Sequence, residues 1–313
     1  MKQEIAIGTR QSRLAVWQAE WVAGRLKELN PGLKCRIVGI RTKGDNILDT
    51  ALAKIGDKGL FTKELELAML RGDIDMAVHS MKDLPTEIPE GLLIGAVCRR
   101  EYPGDVLISR EGKKLDELPP GALIGTSSLR RSAQLLHFRK DLIIVDLRGN
   151  INTRLRKLEE EKFDAVVLAF AGISRMGWED RITHLIPFEI CLPAVGQGSI
   201  GVEVRGGDEE ILELVKSIDH FESHAAISAE RAFLKSLEGG CQIPVGALGT
   251  FENGHVRLEG VVASLDGETL VRSSLSGDAD CAAQIGVRLA EKMISMGAGE
   301  ILRKIRQEKS CNE

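Results

Sequence analysis

Gly125-Thr126-Ser127-Ser128-Leu129-Arg130-Arg131 decides how this chain is read. The stretch follows a short apolar run, residues 122–124. It opens a segment whose apolar positions, Leu129, Ala133, Leu135, Leu136 and Phe138, suit one face of a helix. Strand, tight turn and helix N-terminus in that order put hydroxyls and backbone N–H groups at one helix end. Such an end already carries partial positive charge, so two arginines in its first turns run against the usual preference for acidic residues. A local rule broken in this way points to an anion.

The next strand and turn repeat the arrangement. Residues 142–147 are apolar and strand-like, Arg148-Gly149-Asn150 follows, Asn150 suits a helix cap, and Arg154 lies about one turn inside. Arg130, Arg131, Arg148 and Arg154 then converge at the carboxyl ends of neighbouring strands, where open α/β sheets hold ligands. Arginine forks match carboxylates and phosphates. Any one of them reads equally well as a solvated helix residue; the set favours a polyanionic ligand.

Working outward, residues 4–8 form a short strand, and Thr9-Arg10-Gln11-Ser12 leads into a helix through about residue 29, with Ser12 as N-cap and Asn30-Pro31-Gly32 as the stop. Arg10 is a further arginine at a strand-to-helix turn. Residues 34–40 make a second strand. Residues 42–60, with Lys54 and Lys58 among them, are Gly-punctuated and polar, which marks a mobile-loop candidate of the kind that is a lid or disordered. A helix then runs from Phe61 to about residue 70, ended by Gly72. Residues 75–78 are a buried strand that delivers His79-Ser80-Met81-Lys82-Asp83-Leu84-Pro85 at its end. Pro85 forces a turn there. Asp83 is open to two readings, an Asx-type turn with a solvated carboxylate, or a carboxylate in the same crevice as the arginines.

Strand 92–97 and the breaker-rich 99–104 mark a first boundary, and 192–199 mark a second. Between them strand and helix alternate, which predicts βαβ units and a mainly parallel sheet. The expected fold is α/β, with two similar doubly wound lobes around a hinged cleft, resembling periplasmic binding proteins, plus a small α+β C-terminal domain. The expected units are 1–98 with about 199–218, then 104–193, then 220–313. In the last, a helix over 221–237 precedes strands near 247–251, 255–264 and 269–276 and a long helix over 278–296.

The totals narrow the class. The 313 residues are 43% apolar and 28% charged, with a formal charge of −4. Bulk charge therefore suggests no nucleic-acid partner, and any basic site is local. No apolar run approaches membrane length, and the first residues show no signal-peptide or transit character. The six cysteines are scattered, with no Cys-x-x-Cys and no histidine at zinc spacing, so neither a metal site nor a disulfide framework is expected. The chain reads as soluble and cytoplasmic with reduced thiols. Cys241 differs from the other cysteines, because Gly239, Gly240 and Pro244 present its thiol on a bend. Reactivity there needs a neighbour that stabilises the thiolate.

Several stretches together resemble the porphobilinogen deaminase (hydroxymethylbilane synthase) family of tetrapyrrole biosynthesis. They are Gly8 to Ser12 with Trp17-Gln18-Ala19; Lys58-Gly59-Leu60-Phe61; Ala77 to Asp83; Gly125 to Arg131; Leu147 to Asn150; Leu192 to Gly198; and Glu238 to Pro244. The resemblance spans essentially the whole chain. It implies a dipyrromethane cofactor joined by a thioether to Cys241, which primes stepwise addition of porphobilinogen, with loss of ammonia, until hydroxymethylbilane is released. It implies that Asp83 is the catalytic carboxylate. It further implies that Arg10, Ser12, Gln18, Ser80, Lys82, Thr126, Ser127, Ser128, Arg130, Arg131, Arg148, Gly149, Arg154 and Arg175 bind the pyrrole carboxylates, under a lid carrying Lys54, Lys58 and Phe61. Asp57 departs from the small residue common before Lys58-Gly59. A monomer that hands its product to uroporphyrinogen-III synthase is the implied setting. The rival class is a non-catalytic two-lobed anion-binding module, and a transferase using Cys241 as a transient nucleophile is a second alternative.

Overall fold

The computed structural model describes residues 2–46, 59–160, 163–237 and 243–310. Lys54, Lys58 and Cys241 therefore lie outside the described residues. The chain enters through β1 (Glu4–Arg10), helix α1 (Arg13–Leu29) and β2 (Lys34–Ile40). Ser12 caps α1 as its spacing predicts, its hydroxyl accepting from the Ala15 N–H, and Asn30 closes the other end. A short helix α2 (Lys43–Asn46) follows, then α3 (Lys63–Arg71), β3 (Met76–Ser80) and β4 (Leu92–Val97). Gly72, in the left-handed region at φ 80°, ends α3.

The second stretch runs β5 (Asp105–Ser109), β6 (Leu123–Gly125), α4 (Leu129–Phe138), β7 (Ile143–Val145), α5 (Ile151–Glu160), β8 (Ala165–Ala169), α6 (Phe170–Ser174) and β9 (His184–Leu185). Then β10 (Ile200–Arg205) and α7 (Glu209–Lys216) precede α8 (Phe221–Ser236), β11 (Val245–Glu252), β12 (His255–Ala263) and β13 (Leu270–Asp278). Helices α9 (Ala282–Met293) and α10 (Gly299–Ser310) close the chain.

Three sheets result. Two have five strands, ordered β2-β1-β3-β10-β4 and β7-β6-β8-β5-β9, and the third is the antiparallel β11-β12-β13. The two larger sheets are mixed rather than mainly parallel. β10 runs antiparallel to β3 and β4, and β5 antiparallel to β8 and β9. Alternation of strands and helices predicts parallel neighbours because a crossover helix returns each strand to the same end. β5 and β10 escape that rule, since each enters its sheet directly from one of the two segments, 98–104 and 192–199, that join the sheets.

Each large sheet is covered on both faces. In the first, Ile5, Ile7, Met76, Val78 and Val202 meet α1 and α7, while Ala6 and Ala77 meet Leu65 and Met69 of α3. In the second, Ile124, Leu107 and Val167 pack with Leu135 of α4, and Val106, Val166 and Leu168 with Leu155 of α5. The last predicted helix breaks earlier than expected. α9 stops at Met293, and Gly297 at φ 108° redirects the chain into α10.

The joining segments are clamped to α8. Glu230, 0% exposed, receives Arg100 Nη1 at 2.5 Å, and the backbone N–H groups of Gly196 and Gly249, each at 2.7 Å. Arg100 also donates from Nε to Gln197 O at 2.8 Å. One carboxylate thus ties both joining segments and β11 to one helix. Glu230→Ala leaves Arg100 and two amides without their acceptor, so chemical denaturation is expected to show a loss of roughly 3–5 kcal/mol; a loss below about 1 kcal/mol contradicts the clamp.

Candidate active site

The first sheet brings one group of residues together at the end of β3. A single helical turn, Met81–Asp83, follows the strand and stops where Pro85 removes the next donor. The turn is pinned by Met81 N–H to Ser199 O at 3.0 Å, and by Arg231, which donates to Leu84 O and Pro85 O. Among the described residues no backbone N–H donates to the Asp83 carboxylate, which removes the Asx-turn reading. Asp83 instead lines an open cleft with Arg10, Ser12, Gln18, Phe61 and Ser80. Gln18 Nε2 donates to Ser80 Oγ at 2.8 Å. Arg10 is held on two sides, by the Phe61 ring 4.1 Å from its guanidinium carbon and by Asp45. Ser12 spends its hydroxyl on the α1 cap while still lining the cleft.

The second sheet contributes the strand–turn–helix stretch, where Arg130 and Arg131 are buried rather than solvated. Arg130 and Arg131 are each only 5% exposed. Arg130 Nη1 and Arg131 Nη2 both donate to Asp105, at 2.7 Å each; Arg130 also donates to Leu192 O and Cys191 Sγ, and Arg131 to Val167 O. They are helix-start cations folded back onto the first residue of β5. The hydroxyls are also engaged internally. Ser128 caps α4, Thr126 Oγ1 accepts from Ser128 N–H, and Ser127 Oγ bridges to Leu147 O and N–H. Arg148 pairs with Asp146 at 2.9 Å, and Arg154 Nε donates to Gly149 O, where the chain turns at φ 107°. Arg175 Nη2 donates to Gly198 O at 2.6 Å in the second joining segment.

Electrostatics show that the two groups face one another. Burial pushes Lys82 down to about 8, and Arg131 and Arg130 add to that against the pull of Asp83 and Asp105. Burial likewise pushes Arg154 down to about 10, with Arg131 adding and Asp83 opposing. Arg175 falls to about 10 for the same first reason. Cations that lose water and crowd other cations gain most from an incoming anion. Sequence reasoning missed Asp105, Asp45 and Glu230. The available signal was a lone carboxylate heading or interrupting an apolar run, as Asp105 does before Val106-Leu107-Ile108.

The geometry is that of an α/β protein with two larger mixed sheets and a cleft at the end of β3 lined by Arg10 and Asp83. The description "Porphobilinogen deaminase, dipyromethane cofactor binding domain" matches residues 5–213, and "Porphobilinogen deaminase, C-terminal domain" matches residues 224–295. The porphobilinogen deaminase of Pelotomaculum thermopropionicum is 73% identical over 308 residues, covering 98% of this chain and 99% of its own. That of Desulforudis audaxviator is 60% identical over 306 residues, with the same coverages of 98% and 99%. Among solved structures, the methionine-binding protein MetQ covers 72% of this chain and 91% of its own, at 17% identity and a TM-score of 0.42. The chain belongs to the porphobilinogen deaminase family.

The residues fit the cofactor in that description. Each pyrrole of a dipyrromethane bears an acetate and a propionate, and the buried Nε donors of Arg130 and Arg131 have no hydrogen-bond partner. Unspent buried N–H groups beside surplus positive charge suit carboxylates. Among the described residues no group of three or more His, Cys, Asp or Glu suits a metal ion.

Asp105 sets the acid response. Burial alone lifts its carboxyl, but Arg130 and Arg131 outweigh that and hold it far below the ordinary 3.8. The folded state is therefore favoured by the ionised form, and this contribution is present above the ordinary carboxylate value and lost as pH falls toward the depressed one. Asp105→Asn is expected to cost about 3–5 kcal/mol at neutral pH. The gap to wild type should narrow in acid, as read by denaturation at several pH values, and a constant gap contradicts the pairing.

Proposed function

We propose that this chain polymerises porphobilinogen, with release of ammonia, into the linear tetrapyrrole hydroxymethylbilane. The observation that carries the reading is that Asp83 lines a cleft with Arg10 while Lys82 and Arg154 lie within its electrostatic reach, in a chain whose family is porphobilinogen deaminase. Lys82, Arg154 and the Nε groups of Arg130 and Arg131 receive pyrrole carboxylates. Arg10, Arg148 and Arg175 do so at the edges, where a substrate carboxylate takes the place of Asp45 on Arg10. Ser12, Gln18, Ser80, Thr126, Ser127, Ser128 and Gly149 shape the binding surface. Lys54, Lys58 and Phe61 belong to the lid.

Cys241 would hold the dipyrromethane through a thioether, and that group would supply a free pyrrole α-carbon as the nucleophile. As ammonia leaves the aminomethyl group of porphobilinogen, positive charge spreads into the substrate ring. Asp83, aimed into the cleft and spared from backbone hydrogen bonds, stabilises that charge and takes up the proton released after the new carbon–carbon bond forms. The cations fix the side chains of the ring so that the reacting carbons meet in line.

The three sheets support three units, 1–98 with about 199–218, 104–193 and 220–313. The buried free thiols of Cys98 and Cys191 suit a reducing cytoplasm. No helix of the described residues is long and apolar enough to cross a membrane. A cytoplasmic monomer that hands its product to uroporphyrinogen-III synthase completes the proposed setting, and it rests on the family alone.

Two outcomes test the reading. Asp83→Asn is expected to fold normally and lose roughly 100-fold or more in turnover, the range for removing an acid–base or electrostatic group; near-normal turnover rejects the assignment. Intact mass under denaturing conditions should show an excess of two linked pyrrole units on wild type and none on Cys241→Ser. A bare wild type after incubation with porphobilinogen favours the anion-binding module instead.

A further inference from the structure

The turn that carries Asp83 takes its shape from outside its own strand. β3 and β10 pair as far as Ser80 opposite Ile200, so Met81–Asp83 lie beyond the last paired residue of β3. There the second joining segment, 192–199, meets them. Ser199 O accepts the Met81 N–H at 3.0 Å. Gly196 is buried and has φ at 76°, in the left-handed region. A Cβ at Gly196 would lie 2.8 Å from the Met81 carbonyl carbon, 2.8 Å from Met81 Cβ and 3.0 Å from Lys82 N. The side chain missing at 196 is therefore the space that the Met81–Lys82 peptide occupies, one residue before Asp83.

A second glycine closes the slot. A Cβ on Gly201 of β10 would overlap Met81 Sδ. Met81 is 1% exposed and packs with Leu84, Val97 and Ile227 of α8. Its side chain is wedged beside β10 while its backbone rests on Gly196, and Asp83 follows two residues on.

The joining segment is itself fixed, which makes it a reference for the turn. Val195 belongs to the core of the third sheet. Gly196 N–H donates to Glu230 at 2.7 Å, and Gln197 Nε2 donates to Asp105 at 2.9 Å. On the far side of Asp83, Arg231 of the same helix α8 donates to Leu84 O and Pro85 O. Asp83 is thus bracketed along the chain by contacts to α8 and to the segment that α8 clamps.

We propose that Gly196 is a positioning residue for the reaction: by leaving room for the Met81–Lys82 peptide against the clamped joining segment, it sets where Asp83 stands in the cleft. This rests on the function proposed above. A carboxylate that stabilises charge and moves a proton works only within hydrogen-bond reach, so a small displacement of its turn is felt in turnover.

The test compares Gly196→Ala with Gly121→Ala. Gly121 has the same φ of 76°, but a Cβ there would meet nothing within 4 Å. The two variants share the backbone strain and differ in the contact with the turn. In the loaded enzyme, Gly196→Ala is expected to lower kcat roughly tenfold and Gly121→Ala by less than about twofold. In an Asp83→Asn background, Gly196→Ala is expected to change kcat by less than about twofold, because the group it positions is gone. A loss that persists undiminished in that background overturns the positioning, and so does equal turnover of the two alanine variants. If Gly196→Ala does not fold, Met81→Leu takes its place, keeping the volume but branching inside the slot; it is expected to lower kcat roughly threefold, again only where Asp83 is present. Unchanged kcat in Met81→Leu then overturns the proposal. Hydrogen exchange needs no substrate: Gly196→Ala, or Met81→Leu in its place, is expected to speed exchange of the residue 81 amide about tenfold or more, and Gly121→Ala to leave it unmoved. Wild-type exchange in the slot variant overturns the contact. Failure of loaded wild type to consume porphobilinogen rejects the proposed function, while exchange at residue 81 still judges the contact.

Discussion

One buried carboxylate carries much of this architecture. Asp105 is 0% exposed and holds Arg130 and Arg131 at once, while Gln197 Nε2 reaches the same carboxylate at 2.9 Å from the second joining segment. A charge stripped of water is tolerable only when opposite charge and hydrogen bonds surround it completely. Two arginines over-fulfil that need: the excess positive charge acts on Lys82, and neither arginine Nε has a hydrogen-bond partner among the described residues. The pairing that makes the fold tolerable thereby leaves a field for anions at the cleft.

The same economy shapes the joining segments. In a simple two-lobed protein two strands of chain flex freely between the lobes. Here Glu230 gathers Arg100, Gly196 and Gly249, while Arg175 and Gly198 meet from the second lobe and the second joining segment. His137 of α4 also meets Gly267 O at the β12–β13 turn. The small third sheet and its helices therefore brace both larger sheets and the segments between them.

Buried carboxylates do three different jobs in this chain, and neighbours decide which. Asp105 and Glu230 have full sets of donors and act as fixed anchors. Glu66 and Glu203 each keep one buried oxygen without a hydrogen-bond partner among the described residues. Among the described residues no backbone N–H donates to Asp83, which lines the cleft. Identical chemistry at the side chain gives anchor, part-satisfied core group or candidate catalyst according to what surrounds it.

The sequence by itself determined most of the elements and the family. Periodicity located α1, α3, α4 and the strands, Ser12 and Ser128 were readable as caps, and ordered motifs from Gly8 to Pro244 matched one family. These are local properties, set by residues within a few positions of one another. Only the tertiary structure decided strand direction at β5 and β10, because that depends on how the chain crosses between sheets. Only it separated Arg130 and Arg131, folded onto Asp105, from Arg154, which feels Asp83 across the cleft. The partners of a charge lie 25 residues away for Arg130 and 130 for Arg100. No local pattern encodes such distances, since they follow from packing two sheets and a third around one dry, charged junction.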